Sequence, residues 1–118
     1  MTTNSMEQAL EVTVTVAEQD GVPQVICTPE LLVVASSNAL IVFGLDAPGY
    51  AFPTVGAIKF QNPGAEFPNS WFLDSQYVAV RDRRLTSGQY AYTATVTHEA
   101  SGRQYSVDPI IENGVQDN

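Results

Sequence analysis

The sequence is short of cysteine and histidine, and each shortage excludes a class of site. Its 118 residues include one cysteine, Cys27, and one histidine, His98. A single cysteine cannot form a disulfide within the chain, and the sequence also has no Asn-x-Ser/Thr sequon, so it fits a reducing compartment best. A single histidine excludes copper and zinc sites that need two imidazoles from one chain, cupredoxin sites among them. We therefore expect a cytoplasmic protein without such a metal centre.

Positive charge is also scarce. Five basic residues stand against thirteen acidic ones, which gives a formal net charge of −8. A chain of this charge repels nucleic-acid phosphates and anionic membranes, so we expect neither as a partner. We expect the basic residues to pair with nearby carboxylates; they are Lys59, Arg81, Arg83, Arg84 and Arg103.

Long hydrophobic runs are missing as well. No segment supplies the roughly twenty apolar residues of a membrane span. The first residues, MTTNSMEQ, have neither the basic region nor the apolar region of a signal peptide. We therefore expect no membrane anchor and no secretion.

The common catalytic motifs are absent. The sequence contains no G-x-S-x-G elbow, no phosphate-binding G-x-x-x-x-G-K-[ST] loop and no G-x-G-x-x-G fingerprint. A nucleophilic pair of Cys27 and His98 is conceivable because such pairs form in space, but Cys27 lies in an apolar strand, where thiols are usually inert. A glycosidase needs a pair of carboxylates, and thirteen acids allow too many pairs for the sequence to single one out. We predict a protein that is not an enzyme and needs no cofactor.

What the sequence does have is strand periodicity. In LEVTVTVA (10–17) apolar and polar residues alternate, and the turn EQDG joins this strand to PQVICT (23–28) as a hairpin. The continuous apolar runs 31–36 and 39–45 indicate strands buried on both sides or packed at the centre of a sandwich, and 77–82, 88–99 and 104–111 complete the pattern. The sequence therefore predicts an immunoglobulin-like antiparallel β-sandwich of about 7–9 strands. We expect one domain over 8–114, with flexible ends at 1–7 and 115–118.

Two tyrosines and a short motif near the end carry a resemblance. Tyr90 or Tyr92, after a Ser-Gly turn, is placed for the tyrosine corner of an immunoglobulin-like sandwich. The segments TPELLVV, ALIVFGL and GYAFPTVGAIKF, and then Asp108-Pro109 followed by Asn113, resemble the DP-EP family of small bacterial proteins of unknown function. The resemblance implies an immunoglobulin-like sandwich and supplies no catalytic residues.

The stretch SVDPIIENG raises the question of a ligand site. Pro109 cannot donate to a strand ladder, so Asp108-Pro109 should lie on an edge strand or a bulge. In the structural interpretation, Asp108 accepts hydrogen bonds from the backbone of a neighbouring loop, and Asn113-Gly114 forms the closing turn.

The alternative for the same stretch is a calcium site. Ca²⁺ takes six to eight oxygen ligands, and carboxylates or amides from separate loops supply them. In this hypothesis Asp108, Glu112 or Asn113 joins Asp74 or Asp82. No D-x-D-x-D-G spacing supports it.

Aromatic residues are concentrated in the middle of the chain, where eight of the eleven lie between positions 43 and 77. One interpretation is that they close the open ends of the sandwich. The other is an exposed platform in which Trp71, with Asn69, Asp74 and Gln76, binds a sugar or an extended peptide. If 71–73 is a strand, Trp71 and Phe72 point in opposite directions, so only one can be in the core.

Together these features predict a small acidic binding or protein-interaction module without catalytic activity. Its partner is an unidentified protein, or a second copy joined through an edge strand. The alternative is a module that binds carbohydrate or Ca²⁺ through Trp71 and the acidic loops.

Overall fold

A computed structural model describes residues 9–35 and 38–114, and every regular element in these ranges is a β-strand. The predicted flexible ends lie outside the described residues. The strands are β1 (Ala9–Gln19), β2 (Val22–Thr28), β3 (Leu31–Val34), β4 (Ala39–Leu45), β5 (Tyr50–Ala51), β6 (Ile58–Phe60), β7 (Ser70–Asp74), β8 (Tyr77–Asp82), β9 (Gly88–His98), β10 (Gln104–Val107) and β11 (Ile110–Asn113). No helix that could cross a membrane occurs in these ranges.

The first sheet has five strands in the order β2-β1-β4-β8-β7. The predicted hairpin of β1 and β2 is confirmed, and its turn consists of Asp20 and Gly21, both with positive φ, at 55° and 77°. Positive φ at both central residues matches the right-handed twist of the flanking strands. β4 lies in the middle of the sheet, pairing in parallel with β1 and antiparallel with β8.

The second sheet is organised around the long strand β9. β10 and β11 pair with successive parts of β9, while β5 and β6 also pair with it. β3 joins the sheet through a parallel pairing with β11. The gap between β10 and β11 falls at Asp108-Pro109, where the sequence predicted an interruption of the ladder.

The core lies between the two sheets. The first sheet contributes Val12, Ile41 and Phe43, and the second contributes Tyr92 and Val96, all buried. The rings of Phe43 and Tyr92 meet edge to face, with their centroids 5.5 Å apart, so the two sheets are in direct contact. The prediction of an all-β sandwich is therefore confirmed.

Several details differ from the prediction. The described residues form eleven strands, more than the expected seven to nine, and two of the strand pairs are parallel. β3 is not buried on both sides, because it is the outermost strand of its sheet and leaves Leu31 and Val33 exposed. In β3, apolar side chains therefore face the core on one side of the strand and solvent on the other. The immunoglobulin-like topology stays a prediction.

Aromatic groups close the sandwich near the two ends of β9, as one interpretation of the sequence predicted. Phe60 stacks on Phe67 at 3.8 Å, and the ring of Tyr90 meets Phe67 at 5.3 Å. At the far end of β9, Tyr50 packs against His98 at 5.0 Å.

The two candidate tyrosines of the corner motif are in different surroundings. The Tyr90 hydroxyl donates to the carbonyl oxygen of Thr86, four residues upstream, at 3.4 Å, which is the form that a tyrosine-corner contact takes. The Tyr92 hydroxyl is buried in the core and makes no hydrogen bond of ordinary length and angle.

The Asp108 and Asn113 predictions need correction. Asp108 is exposed and accepts a hydrogen bond from the Thr93 hydroxyl at 2.7 Å, not from a loop backbone, because β9 passes directly beside it. Asn113 and Gly114 do not form the expected turn, since the Gly114 amide continues the ladder by donating to Val34 at 2.9 Å. The side chain of Asn113 instead turns into the protein, where it is 1% exposed.

Two of the arginines donate to backbone carbonyl oxygens. Arg81 donates to the carbonyl oxygen of Asn38 at 3.0 Å, and Arg84 donates to that of Gly114 at 3.3 Å. The charge of Arg84 also acts on the carboxyl of Asp82, and the pairing of the other basic residues with carboxylates stays a prediction.

Candidate functional site

Strand β7 is the most exposed strand of the first sheet. It forms one edge of that sheet, and in the described part of the chain it pairs with β8 alone. Trp71 and Phe72 are each 40% exposed, and Leu73 is 57% exposed. The sequence predicted that at most one of Trp71 and Phe72 could be core, and the structure leaves both partly exposed, because neither face of this outermost strand is fully covered.

The strand pairing places Trp71 on the outer face of the sheet. Residues directly opposite each other on neighbouring strands share a face. Trp71 lies opposite Ala79, and Ala79 lies opposite Val42, so these three side chains form a row across the outside of the sheet. The neighbouring row contains Tyr77 and Gly44. Trp71 and Tyr77 are therefore two exposed aromatic rings on one face.

The other predicted site residues join this platform only in part. Asp74 and Gln76 meet in the turn between β7 and β8, where the Asp74 carboxylate accepts a hydrogen bond from the backbone amide of Gln76 at 2.8 Å. Asn69 lies at the opposite end of β7, about 16 Å away for five extended residues. Its carbonyl oxygen accepts from the Arg81 amide at 3.0 Å.

Next to Tyr77 the outer face contains a cleft of about 430 Å³. Two carboxylates line it, from Glu11 on β1 and from Asp46 just after β4, together with Gln76 and the Tyr77 ring. The sequence analysis did not select Glu11, Asp46 or Tyr77, because they come from three separate segments and meet only through the pairing of β1, β4 and β8.

A cluster of three polar side chains is buried at one end of the sandwich. Glu66, Asp82 and Asn113 are 6%, 0% and 1% exposed. The Asn113 amide nitrogen donates to Glu66 Oε2 at 2.8 Å and to Asp82 Oδ1 at 3.1 Å, so one amide bridges two carboxylates. The Thr86 hydroxyl donates to Glu66 Oε1 at 2.9 Å, and the Arg84 amide donates to Asp82 Oδ1 at 2.8 Å.

Burial raises the pKa of the Asp82 carboxyl above its usual range, and the charge of Glu66 adds to this rise, while hydrogen bonds from Arg84 and Asn113 oppose it. Asp82 Oδ2 and Asn113 Oδ1 have no hydrogen-bond partner. The cluster ties the segment before β7, the end of β8 and the end of β11 together.

The structure brings together part of the hypothesised calcium set. Asn113 and Asp82 are in contact, and Glu66, which the sequence analysis did not select, completes the group. Asp108 bonds instead to Thr93, and Glu112 accepts from Gln89 at 3.2 Å. Within residues 9–35 and 38–114 no three His, Cys, Asp or Glu side chains are grouped as a metal site.

Cys27 and His98 lie in different surroundings. His98 Nδ1 lies 2.7 Å from the Ser101 hydroxyl, because the hairpin loop places Ser101 beside the ring. Cys27 is buried, and burial raises the pKa of its thiol to about 11, an effect that the neighbouring Tyr92 hydroxyl partly offsets. At neutral pH the thiol is therefore protonated and a poor nucleophile.

Comparisons with known proteins add no relative. No model of a known protein family matches this sequence, and a search of curated proteins finds no significant match.

Proposed function

We propose that this protein is a non-catalytic interaction module whose strand β7 accepts an extended segment of another protein as an added strand. The observation that supports the proposal is the free edge of β7, with apolar side chains exposed on both of its faces. Main-chain groups along such an edge bind an incoming strand, and side-chain contacts on alternate residues select it.

Other edges of the two sheets are less suited to this role. β2 and β3 alternate, so each buries one face and exposes apolar residues on the other only. β10, at the other end of the second sheet, exposes the polar side chains of Gln104 and Ser106. β7 is exposed throughout and contains no lysine or proline, which commonly protect edge strands from pairing. A break in its pairing with β8 between Phe72 and Asp74 is the one protective irregularity.

Phe72 is the side chain of β7 that we expect to contribute most to binding of an added strand. It lies opposite Val78, which is 4% exposed, so Phe72 occupies the core-facing side of its sheet and is still 40% exposed. An added strand extends this face and covers the ring. Because the ring is already more than half buried, covering the rest of it stabilises a complex by about 1 kcal/mol.

The test is a selection from a phage-displayed library of random peptides, followed by binding measurements on two variants. Phe72→Lys places a charge on the core-facing side of the edge, while Val55→Lys makes a similar change on a loop residue that is 85% exposed. We expect the selected peptides to bind the native chain and Val55→Lys alike, and Phe72→Lys about tenfold or more weakly. Bound peptide should also slow hydrogen exchange in β7.

If the selection yields no peptide, or if the peptides bind Phe72→Lys as well as they bind the native chain, the proposal fails. Sedimentation velocity of the chain alone separates the two possible occupants. A dimer that Phe72→Lys dissociates would identify the added strand as β7 of a second copy.

A second candidate function is carbohydrate binding on the outer face. It is favoured by the two exposed rings of Trp71 and Tyr77, with the side chains of Asp74 and Gln76 in the turn beside them. Thermal unfolding with a panel of sugars, and with Ca²⁺ against EDTA, tests this alternative, since a ligand at one hundred times its Kd stabilises a protein by about 2.7 kcal/mol.

We also propose a family and a cellular location for this protein. The Asp108-Pro109 motif and the tyrosine pair support membership of the bacterial DP-EP family, and the contact of Tyr90 with Thr86 supports an immunoglobulin-like sandwich. A single buried cysteine supports a cytoplasmic location.

A further inference from the structure

The cleft on the outer face of the first sheet combines negative charge with an aromatic surface. Glu11 and Asp46 contribute carboxylates, and the Tyr77 ring, 48% exposed, forms one wall. Among the residues that the structure describes, no lysine or arginine lines this cleft. A guanidinium or ammonium group binds favourably where carboxylates lie beside the face of an aromatic ring.

The floor of the cleft depends on a glycine. Gly44 lies opposite Tyr77 on β8 and opposite Thr13 on β1. A Cβ atom at Gly44 would lie 3.2 Å from Cε1 of Tyr77, which is tighter than ordinary van der Waals contact. Because Gly44 has no side chain, the Tyr77 ring can lie beside it and the floor of the cleft stays open.

The charge of the whole chain agrees with the charge of the cleft. A net charge of −8 attracts basic segments over distance and disfavours acidic ones. A basic segment of another molecule is therefore the occupant that the charge favours.

The cleft is within reach of a segment paired with β7. Asp74, the last residue of β7, lies opposite Tyr77, and Tyr77 lies opposite Gly44. Three strand spacings of about 4.8 Å place the floor of the cleft about 14 Å from a strand added beyond β7. Four or five extended residues that turn across the outer face cover this distance.

We propose that this cleft binds a lysine or arginine side chain of the segment that adds to β7, so that the partner is an extended segment containing a basic residue near one end. The inference rests on the proposed function, because it names the chemistry of the same partner. It predicts that the cleft binds arginine more tightly than citrulline, the uncharged isostere of arginine.

The test uses two small probes, N-acetyl-arginine amide and N-acetyl-citrulline amide, which differ in the charge of the side-chain head group. Amide chemical shifts are recorded by NMR for the native chain and for the double variant Glu11→Gln/Asp46→Asn. The control is Asp20→Asn/Glu99→Gln, which removes two exposed carboxylates elsewhere. We expect the arginine probe to shift Thr13, Gly44 and Tyr77, with the cleft variant binding it about fivefold or more weakly and the control unchanged.

Substitution of the ring gives an independent readout. Tyr77→Phe keeps the aromatic face and should keep the arginine binding, whereas Tyr77→Leu should lose it. Equal shifts with the citrulline probe, or no shift at the cleft residues, would overturn the inference and leave the Phe72→Lys result untouched. Arginine binding at the cleft without any peptide addition to β7 would overturn the proposed function and the assigned partner together.

Discussion

At the scale of single residues, the two tyrosines of β9 have hydroxyl groups in opposite situations, and this difference is measurable. The Tyr92 hydroxyl is buried beside the Cys27 thiol and makes no hydrogen bond of ordinary length and angle within the described residues, so Tyr92→Phe removes a poorly paired polar group from the core and keeps the ring. Leaving such a group buried costs about 1–3 kcal/mol. We expect Tyr92→Phe to leave the free energy of unfolding unchanged or to raise it by about 1 kcal/mol, as measured by urea denaturation.

Tyr90→Phe is the matched control. The Tyr90 hydroxyl bonds to Thr86, so its loss should lower the free energy of unfolding by about 1 kcal/mol. If Tyr92→Phe destabilises the protein as much as Tyr90→Phe does, the Tyr92 hydroxyl must make a stabilising hydrogen bond, with the thiol of Cys27 as the nearest candidate on β2.

At the scale of elements, strand β11 ends in a residue that holds two other segments. Asn113 bridges the carboxylates of Glu66, from the loop before β7, and of Asp82, at the end of β8. Asn113→Ala leaves two buried carboxylates facing each other without their shared donor. We expect the free energy of unfolding to fall by about 2–4 kcal/mol, measured from denaturant midpoints.

Glu112→Ala on the same strand provides the comparison. Glu112 accepts one exposed hydrogen bond from Gln89, so its removal should cost well under 1 kcal/mol. Similar losses for Asn113→Ala and Glu112→Ala would mean that the buried bridge contributes little to stability.

The same elements show how far the sequence predicts the structure. Periodicity identified β1 and β9, because alternation is a local property of a strand. Sequence analysis could not predict that Glu66 meets Asn113, or that Glu11 and Asp46 share a cleft with Tyr77. Those contacts depend on strand order and register across residues far apart in the chain. For Trp71 and Phe72, strand alternation predicted that at most one could be core, and their position on an edge strand leaves both exposed.

At the scale of the whole molecule, the excess of acidic residues should make stability depend on pH. With a net charge of −8 at pH 7, repulsion between carboxylates opposes the compact state, and protonation relieves it. Asp82 adds a specific contribution, because its pKa in the folded protein is raised above the unfolded value. In the interval between those two values the folded state binds more protons than the unfolded state, so stability falls as the pH rises through it.

The contribution of Asp82 is separable from the general repulsion. Asp82→Asn keeps an oxygen for the hydrogen bonds from Arg84 and Asn113, and its amide replaces Oδ2, which has no partner. Asp20→Asn removes the same charge from an exposed turn. Thermal unfolding between about pH 4 and pH 8 should show the native chain and Asp20→Asn losing stability as the pH rises, with a clearly smaller loss for Asp82→Asn. Identical slopes for the two variants would assign the whole pH dependence to surface repulsion, which added salt would then remove.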